Sequence, residues 1–198
     1  DKNQKKYTIM KIYIHDTAEV SEKAIIGASC KVWHHAQIRE NVRLGESCNI
    51  GKGVYIDSGV RVGNRVKIQN GVTVYKGVII DDDVILGPNC TFTNDPYPRA
   101  FPAGWEILPT YLRQGCSVGA NATIICGVTI GEYALIGAGA VLTNDTMPHA
   151  MMVGNPARFR CFVCKCGREL RQIIYKIDAI EFKCSNCEKM LHIGFSHQ

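Results

Sequence analysis

Apolar residues recur at every sixth position along most of this chain. The series runs without a polar interruption from Ile14 to Phe92 and again from Leu112 to Leu142. A small or β-branched residue follows each member of the series four positions later. An amphipathic helix would need a period of 3.6 residues. A period of six with two inward positions instead predicts a short strand and a turn that form one flat side of a coil.

Three such sides form a coil of about 18 residues, and about 19 hexads predict about six stacked coils. The pattern therefore predicts an all-β solenoid whose interior is filled by the apolar series. Glycine and asparagine near the predicted corners would permit left-handed or cramped backbone there. These residues are Gly53, Gly59, Gly71, Gly77, Asn64 and Asn70.

The composition agrees with a folded β-solenoid. The chain has 198 residues with 46% apolar and 21% charged residues, which excludes a disordered chain. It has 19 glycines and only 8% aromatic residues, as narrow coils require. No run approaches the roughly 20 apolar residues of a membrane span, so we expect a cytoplasmic protein without a membrane partner. The net charge of +5 fits a small anionic ligand at least as well as a nucleic acid, which we do not expect as a partner.

The hexads resemble those of the hexapeptide-repeat acyltransferase superfamily. That resemblance implies a left-handed parallel β-helix over residues 12–157, after an N-terminal tail at residues 1–11. A C-terminal module would occupy residues 158–198.

The hexad phase is lost over residues 93–111, which contain four prolines. A rigid solenoid tolerates insertions at its corners, so this segment is predicted to be an extruded loop of functional importance. Its polar residues are Asn94, Asp95, Tyr97 and Arg99. About one coil earlier, a second polar group consists of Lys67, Gln69, Asn70 and Tyr75.

The stretch NRVKIQNGVTVYKGVIIDDDVILGPNCTFTNDPYPRA, with KVWHHAQI before it and SVGANATIICGVTIGEYALIGAGAVLTND after it, carries a closer resemblance. It is similar to N-acetyltransferases that acetylate the 3-amino group of a nucleotide-linked amino sugar. Those enzymes are trimers with acetyl-CoA between adjacent β-helices. The resemblance implies a UDP-2-acetamido-3-amino-glucuronate type of acceptor; a dTDP-3-amino-3,6-dideoxyhexose or another small acceptor remains an alternative.

The resemblance also implies roles for individual residues. Asn94 would approach the sugar amine, and the loop with Tyr97 and Arg99 would border the acceptor. The polar group Lys67, Gln69, Asn70 and Tyr75 would add acceptor contacts. Of the adjacent His34 and His35, His34 is our candidate for the groove, although a structural role fits either.

Residues 93–111 contain no histidine to act as a base. An amine needs less activation than a hydroxyl because its free base is already a nucleophile. Asn94 could orient the amine by accepting an N–H bond, and either Asp95 or the departing CoA thiolate could take the proton. Asp95 departs from one branch of the family, in which an apolar residue is usual.

The acetyl-CoA site would lie along the late coils. By resemblance, the backbone of Ala120 and Ala138 pairs with the pantetheine amides, and Thr143 lies nearby. Arg158 would meet the adenosine phosphates, unless it is a solvated charge of the tail.

Nine of the ten cysteines fall into two groups, and Cys126 lies at a predicted turn. Four occupy the small inward position of the hexad, where a thiol acts as a compact apolar group: Cys30, Cys48, Cys90 and Cys116. The spacing of the tail cysteines is typical of a zinc ribbon. We predict the ligands of a structural zinc to be Cys164, Cys166, Cys184 and Cys187, although Cys161 could replace Cys166. A non-catalytic β-helix scaffold with a partner-binding ribbon is the non-enzyme alternative.

Overall fold

The computed structural model describes residues 11–101, 105–175 and 179–194. These residues form strands and turns and contain no helix, so none of them belongs to a helix that could cross a membrane. The predicted tail at residues 1–11 lies outside the described part except for its last residue.

The described residues form 25 strands. The first twenty, β1 to β20, are short, and each ends on a member of the apolar period-six series. The strands are β1 (Tyr13–Ile14), β2 (Glu19–Val20), β3 (Ile25–Ile26), β4 (Lys31–Val32), β5 (Gln37–Ile38), β6 (Arg43–Leu44), β7 (Asn49–Ile50), β8 (Tyr55–Ile56), β9 (Arg61–Val62), β10 (Lys67–Ile68), β11 (Thr73–Val74), β12 (Val78–Ile80), β13 (Ile85–Leu86), β14 (Thr91–Phe92), β15 (Thr110–Leu112), β16 (Ser117–Val118), β17 (Thr123–Ile124), β18 (Thr129–Ile130), β19 (Leu135–Ile136), β20 (Val141–Leu142), β21 (Ala150–Val153), β22 (Arg158–Phe162), β23 (Gln172–Tyr175), β24 (Ala179–Lys183) and β25 (Met190–Gly194).

Every third strand of the solenoid stacks in parallel to build three sheets. Sheet A has the order β1-β4-β7-β10-β13-β16-β19-β21-β22, sheet B the order β2-β5-β8-β11-β14-β17-β20, and sheet C the order β18-β15-β12-β9-β6-β3. The register places Lys67 opposite both Asn49 and Ile85, one coil away on each side. This parallel three-sided solenoid fits the predicted β-helix. Sheet A has eight parallel strands in the described chain, compared with the six coils predicted: seven belong to the period-six series, and β21 extends the stack beyond it.

The interior of the solenoid is the predicted apolar column. Ile38, Ile56, Phe92 and Leu112 are among its fully buried side chains. The four inward cysteines, Cys30, Cys48, Cys90 and Cys116, are buried in the same core, which confirms their predicted place.

The corners use glycine and asparagine differently. Gly53 and Gly59 have φ angles of 65° and 73°, as the corner prediction requires. Asn64 and Asn70 do not adopt left-handed backbone. Each instead accepts a bond from a main-chain N–H of the preceding coil: Asn64 Oδ1 from Glu46 at 2.8 Å and Asn70 Oδ1 from Lys52 at 2.9 Å. These bonds tie successive coils together at their corners.

The segment after the last coil folds back onto it. β22 pairs antiparallel with β21, so the first strand of the predicted C-terminal module, residues 158–198, belongs to sheet A. His149 Nδ1 donates to the Val163 carbonyl at 2.9 Å, and Lys165 Nζ lies 4.2 Å from the centre of the Tyr133 ring. β23, β24 and β25 form a separate antiparallel sheet.

Candidate active site

The turns that follow the strands define where the predicted site residues lie. We call the column of turns after the sheet A strands the first corner, that after sheet B the second corner and that after sheet C the third corner. The first corner carries His34, Gln69, Asn70, Ala120 and Ala138. The second corner carries Tyr75, Asn94 and Thr143. Within one chain, sheet B separates these two groups.

Lys67 and Arg158 lie on strands rather than in turns. Lys67 is exposed on β10, directly before the turn with Gln69 and Asn70. Arg158 begins β22 and is exposed, and its Nη1 donates to the Ala157 carbonyl at 3.0 Å. The N–H of Ala157 donates to the carbonyl of Val141 on β20. Arg158 therefore lies beside the strand that follows the turn with Ala138.

A cleft of about 310 Å³ opens along the first corner. It brings the predicted residues His34, Gln69 and Asn70 together. Its lining residues are Trp33, His34, Asn49, Gly51, Lys52, Gln69 and Asn70. Trp33, Asn49 and Lys52 were missed by the sequence reasoning. The usable signal was their spacing: Lys52 and Asn49 lie one coil before Asn70 and Lys67, and Trp33 lies two coils before Gln69.

Aromatic contacts and a hydrogen bond fix one wall of the cleft. Trp33 Nε1 donates to Asn49 Oδ1 at 2.9 Å. The rings of His15 and His34 stack with centroids 3.4 Å apart. Desolvation, followed by the nearby His15, His35 and Lys52, lowers the pKa of His34 below its usual 6.5. The ring is therefore neutral at pH 7 and can accept or donate a hydrogen bond.

The insertion between β14 and β15 is attached at both ends to the next coil. Thr93 Oγ1 accepts a bond from the N–H of Cys126 at 2.9 Å. Thr110 Oγ1 accepts from the N–H of Gly127 at 3.2 Å. The described residues 93–101 and 105–109 contain no strand, and β15 begins at Thr110, inside the predicted range 93–111. Residues 102–104 lie outside the described part.

The polar residues at the start of this insertion have different environments. Asn94 is half-buried, and its carboxamide has no hydrogen-bond partner among the described residues. Asp95 Oδ1 accepts the N–H of Tyr97 at 2.8 Å, which closes an Asx turn. Arg99 Nη1 donates to the Pro98 carbonyl at 2.8 Å. Asn94 is thus available to a ligand, whereas Asp95 shapes the loop.

Large apolar side chains of the insertion are unusually exposed. Tyr97, Phe101 and Trp105 are 81%, 86% and 58% exposed, respectively. Within a single chain nothing described covers them. Exposed aromatic side chains on one loop are typical of a surface that contacts another molecule.

The predicted pantetheine positions have free main-chain groups. Among the described residues, the N–H groups of Ala120 and Ala138 have no hydrogen-bond acceptor. The Ala120 carbonyl accepts the N–H of Gly139 at 2.8 Å. Thr143 is exposed at the second corner, where its Oγ1 accepts a bond from Asn144 Nδ2 at 3.0 Å.

The four predicted zinc ligands lie together at the base of the C-terminal sheet. The Sγ atoms of Cys164, Cys166, Cys184 and Cys187 are all within 4.8 Å of one another. Two of the pairs are separated by 3.5 Å and 3.6 Å. Tetrahedral zinc with Zn–S bonds of about 2.3 Å requires sulfurs about 3.8 Å apart, so this donor set fits the ion. Cys161 lies outside the group, with its Sγ 3.8 Å from Met151 Sδ.

Main-chain amides favour thiolates in this cluster. N–H groups of Cys187 and Asn186 lower the pKa of Cys184 to about 6. The N–H of Arg168 lowers the pKa of Cys166, whereas burial raises the pKa of Cys164 to about 12. Amides directed at sulfur complete the environment of a four-thiolate metal site.

A larger cleft of about 490 Å³ lies elsewhere, at the third corner. Its lining includes Arg43, Arg61, Asp81, Asp82 and Glu132 but none of the predicted site residues. We therefore place the candidate site at the first and second corners and not at this cleft.

Comparison with known families finds matches along the solenoid. The model described as "Bacterial transferase hexapeptide (six repeats)" matches residues 23–58, 59–94 and 109–144, which is more than half of the chain. The model "Hexapeptide repeat of succinyl-transferase" matches residues 41–76. No curated protein sequence matches the chain significantly.

Similar solved structures share the solenoid. A hexapeptide-repeat acetyltransferase from Vibrio cholerae O1 biovar eltor, complexed with acetyl-CoA, is 23% identical with a TM-score of 0.53, and the match covers 62% of this chain and 70% of that one. A galactoside acetyltransferase in complex with coenzyme A is 25% identical with a TM-score of 0.55, covering 62% and 64%. A mutant of GDP-perosamine N-acetyltransferase from Caulobacter crescentus, in complex with CoA and GDP-perosamine, is 20% identical with a TM-score of 0.50, covering 75% and 56%. The match thus spans little more than half of the perosamine enzyme.

Proposed function

Because the chain belongs to the family of bacterial hexapeptide transferases, and is an acyltransferase by that membership, we propose that it is an acetyl-CoA-dependent N-acetyltransferase. The proposed acceptor is the 3-amino group of a nucleotide-linked amino sugar of the UDP-2-acetamido-3-amino-glucuronate type. The reaction would serve the assembly of a surface glycan or glycoprotein.

This proposal rests mainly on the unbonded side-chain carboxamide of Asn94. Its carboxamide is half-buried and has no partner among the described residues, at the start of a loop attached to the next coil through Thr93 and Thr110. A carboxamide oxygen held in this way can accept an amine N–H and direct the nitrogen lone pair at an acyl group. No histidine occurs in residues 93–111, so an amine acceptor suits this site better than a hydroxyl.

The proposed chemistry is direct acyl transfer. The amine nitrogen attacks the thioester carbonyl carbon, an N–C bond forms and the C–S bond breaks. The amine loses one proton as the thiolate leaves. One oxygen of Asp95 accepts the N–H of Tyr97, and the other could still take a proton. Of the two acceptors, Asp95 and the departing thiolate, we propose the thiolate.

We propose that acetyl-CoA lies along the late coils. The free N–H groups of Ala120 and Ala138 would bind its pantetheine amides, with Thr143 nearby and Arg158 at the adenosine phosphates. His34, Gln69, Asn70, Lys67, Tyr75, Tyr97 and Arg99 would contact the acceptor.

A homotrimer is part of the proposal. Sheet B separates the first corner from the second within one chain, so a complete site needs the corner of a neighbouring copy beside Asn94. The exposed Tyr97, Phe101 and Trp105 support this assembly because a second copy would cover them.

We further propose that the four tail cysteines hold a structural zinc. All four coordination positions would be filled by thiolates, so the ion would supply folding stability and no catalytic step. The small apolar core around Cys164, Leu170, Phe182 and Cys184 is too limited to stabilise this segment by itself. Reduced thiolates and acetyl-CoA are both consistent with a cytoplasmic location, which we also propose.

A second candidate acceptor is a dTDP-3-amino-3,6-dideoxyhexose or another small amine. It is favoured by one similar fold, the perosamine enzyme, whose structure contains an amino sugar linked to GDP. The two candidates differ in the nucleotide and in the carboxylate at C6 of the sugar.

The decisive experiment measures thiol release from acetyl-CoA with a panel of amino nucleotide sugars. We expect release only with an amino acceptor, and Asn94→Ala should lower kcat by about 100-fold because the amine loses its orientation. Gln37→Ala is the matched control, since the Gln37 carboxamide bonds to Glu19 on an early coil. A kcat of Asn94→Ala close to that of the wild type would contradict the proposed role of Asn94.

A further inference from the structure

Lys52 places a positive charge in the cleft of the first corner. The side chain is exposed, and no described carboxylate oxygen lies within 4.0 Å of its ammonium. Most described lysines and arginines likewise have no such carboxylate, in contrast to Arg39, Arg65, Arg113, Arg160 and Arg171. What distinguishes Lys52 is its place in the lining of the cleft. Lys52 therefore contributes an uncompensated charge to a concave surface, where the field of a charge is concentrated.

The main chain at Lys52 is held on both sides. Its N–H donates to Asn70 Oδ1 at 2.9 Å, and its carbonyl accepts the N–H of Gly71 at 2.9 Å. A Cβ at the preceding Gly51 would lie 2.7 Å from the main-chain nitrogen of Asn70, so only glycine permits this approach. The base of the Lys52 side chain is thus fixed relative to the cleft, and Asn70 acts here as a positioning residue.

The rest of the cleft offers neutral polar groups and one aromatic wall. The indole of Trp33 is tied to Asn49, and Gln69 is half-buried without a side-chain partner among the described residues. His34 is neutral at pH 7, as its lowered pKa indicates. Lys52 is consequently the permanent cation in the lining of this cleft, beside the Trp33 indole and the unbonded carboxamide of Gln69.

We propose that Lys52 binds an oxyanion of the acceptor substrate. The oxyanion is either the C6 carboxylate of a uronate or the diphosphate of the nucleotide, since both offer the charged oxygens that an ammonium pairs with. This inference rests on the proposed function and deepens it, because it makes Lys52 a specificity-determining residue. A neutral 6-deoxy sugar would offer Lys52 the diphosphate alone.

Calorimetric titration of the full chain with UDP, UDP-glucose and UDP-glucuronate tests the proposal. Lys52→Met removes the charge and keeps the length of the side chain, and Lys52→Arg restores the charge. Lys23→Met, in the turn after β2, is the matched control. We expect Lys52→Met to weaken UDP-glucuronate binding by about tenfold or more, with Lys52→Arg and Lys23→Met within a few-fold of wild type.

The pattern across ligands identifies the oxyanion. If Lys52→Met weakens the binding of all three ligands equally, Lys52 contacts the diphosphate. If it weakens the binding of UDP-glucuronate alone, Lys52 contacts the carboxylate. Unchanged binding of all three by Lys52→Met overturns the role of Lys52 and leaves the proposed function intact. A wild-type chain that binds CoA but none of the three ligands overturns the UDP-linked acceptor and, with it, the role of Lys52.

Discussion

Asp95 shows how one hydrogen bond changes the interpretation of a residue. From the sequence, its carboxylate is a candidate for taking the amine proton, with the departing CoA thiolate as the alternative. In the structure, Oδ1 closes an Asx turn with the N–H of Tyr97 at 2.8 Å. Asparagine can close the same turn but cannot act as a base at neutral pH.

The Asp95→Asn variant separates these two uses. If the carboxylate only shapes the loop, we expect kcat within about twofold of wild type, because the turn persists. Asp95→Ala should lower kcat/KM by about tenfold through misplacement of Asn94. Initial rates with acetyl-CoA and an amino acceptor measure both values. A loss of about 100-fold in Asp95→Asn would instead make Asp95 the base.

At the scale of single strands and turns, the sequence predicted most of the structure. Period six alone identified all twenty strands from β1 to β20, because each coil repeats the same buried position. It could not assign the function of each corner residue, since a turn asparagine serves equally as a left-handed residue or as an acceptor for the next coil. Asn64 and Asn70 take the second role. Lys52 and Trp33 were missed for a similar reason: the repeat stacks outward residues in columns but does not indicate which of them line a cleft.

Glycines in the turns fall into two structural kinds that mutation can separate. A Cβ at Gly45 would lie 2.6 Å from the main-chain carbon of Gly63 in the next coil. A Cβ at Gly59 would meet nothing within 4 Å, although its φ of 73° strains any other residue. We expect Gly59→Ala to cost about 1 kcal/mol of unfolding free energy, and Gly45→Ala clearly more, because coil stacking must open. Denaturant unfolding monitored by circular dichroism measures both; equal costs would contradict the stacking role of Gly45.

At the scale of the whole molecule, the predicted site is divided. The sequence placed the second polar group about one coil before Asn94, which suggests proximity. The structure puts His34, Gln69 and Asn70 on the first corner and Asn94 on the second, because residues in successive strands lie on different faces of the coil. The spacing of residues along the chain predicts which coil each residue belongs to. It does not predict which corner of another copy would lie beside Asn94. The exposed aromatic residues of the loop and the divided site both support the proposed homotrimer.

The tail presents the opposite case, a proposed metal site whose four thiols belong to one chain and lie outside the solenoid core. The buried solenoid residues form one cluster, and Cys164, Leu170, Phe182 and Cys184 form another. Metal removal should therefore unfold the tail and leave the stacked coils intact. We expect one zinc per chain by elemental analysis, lost in Cys184→Ser.

Cys161→Ser is the matched control for this experiment because Cys161 lies outside the thiol group and contacts Met151. It should retain the metal. Limited proteolysis should cut Cys184→Ser after β22 and spare the solenoid, since zinc binding by four thiolates contributes on the order of 10 kcal/mol to a segment with little core of its own. Retention of the metal by Cys184→Ser, or its loss in Cys161→Ser, would disprove this ligand set. Collapse of the solenoid together with the tail would mean that β22, through its pairing with β21, transmits the metal's stabilisation into the coils.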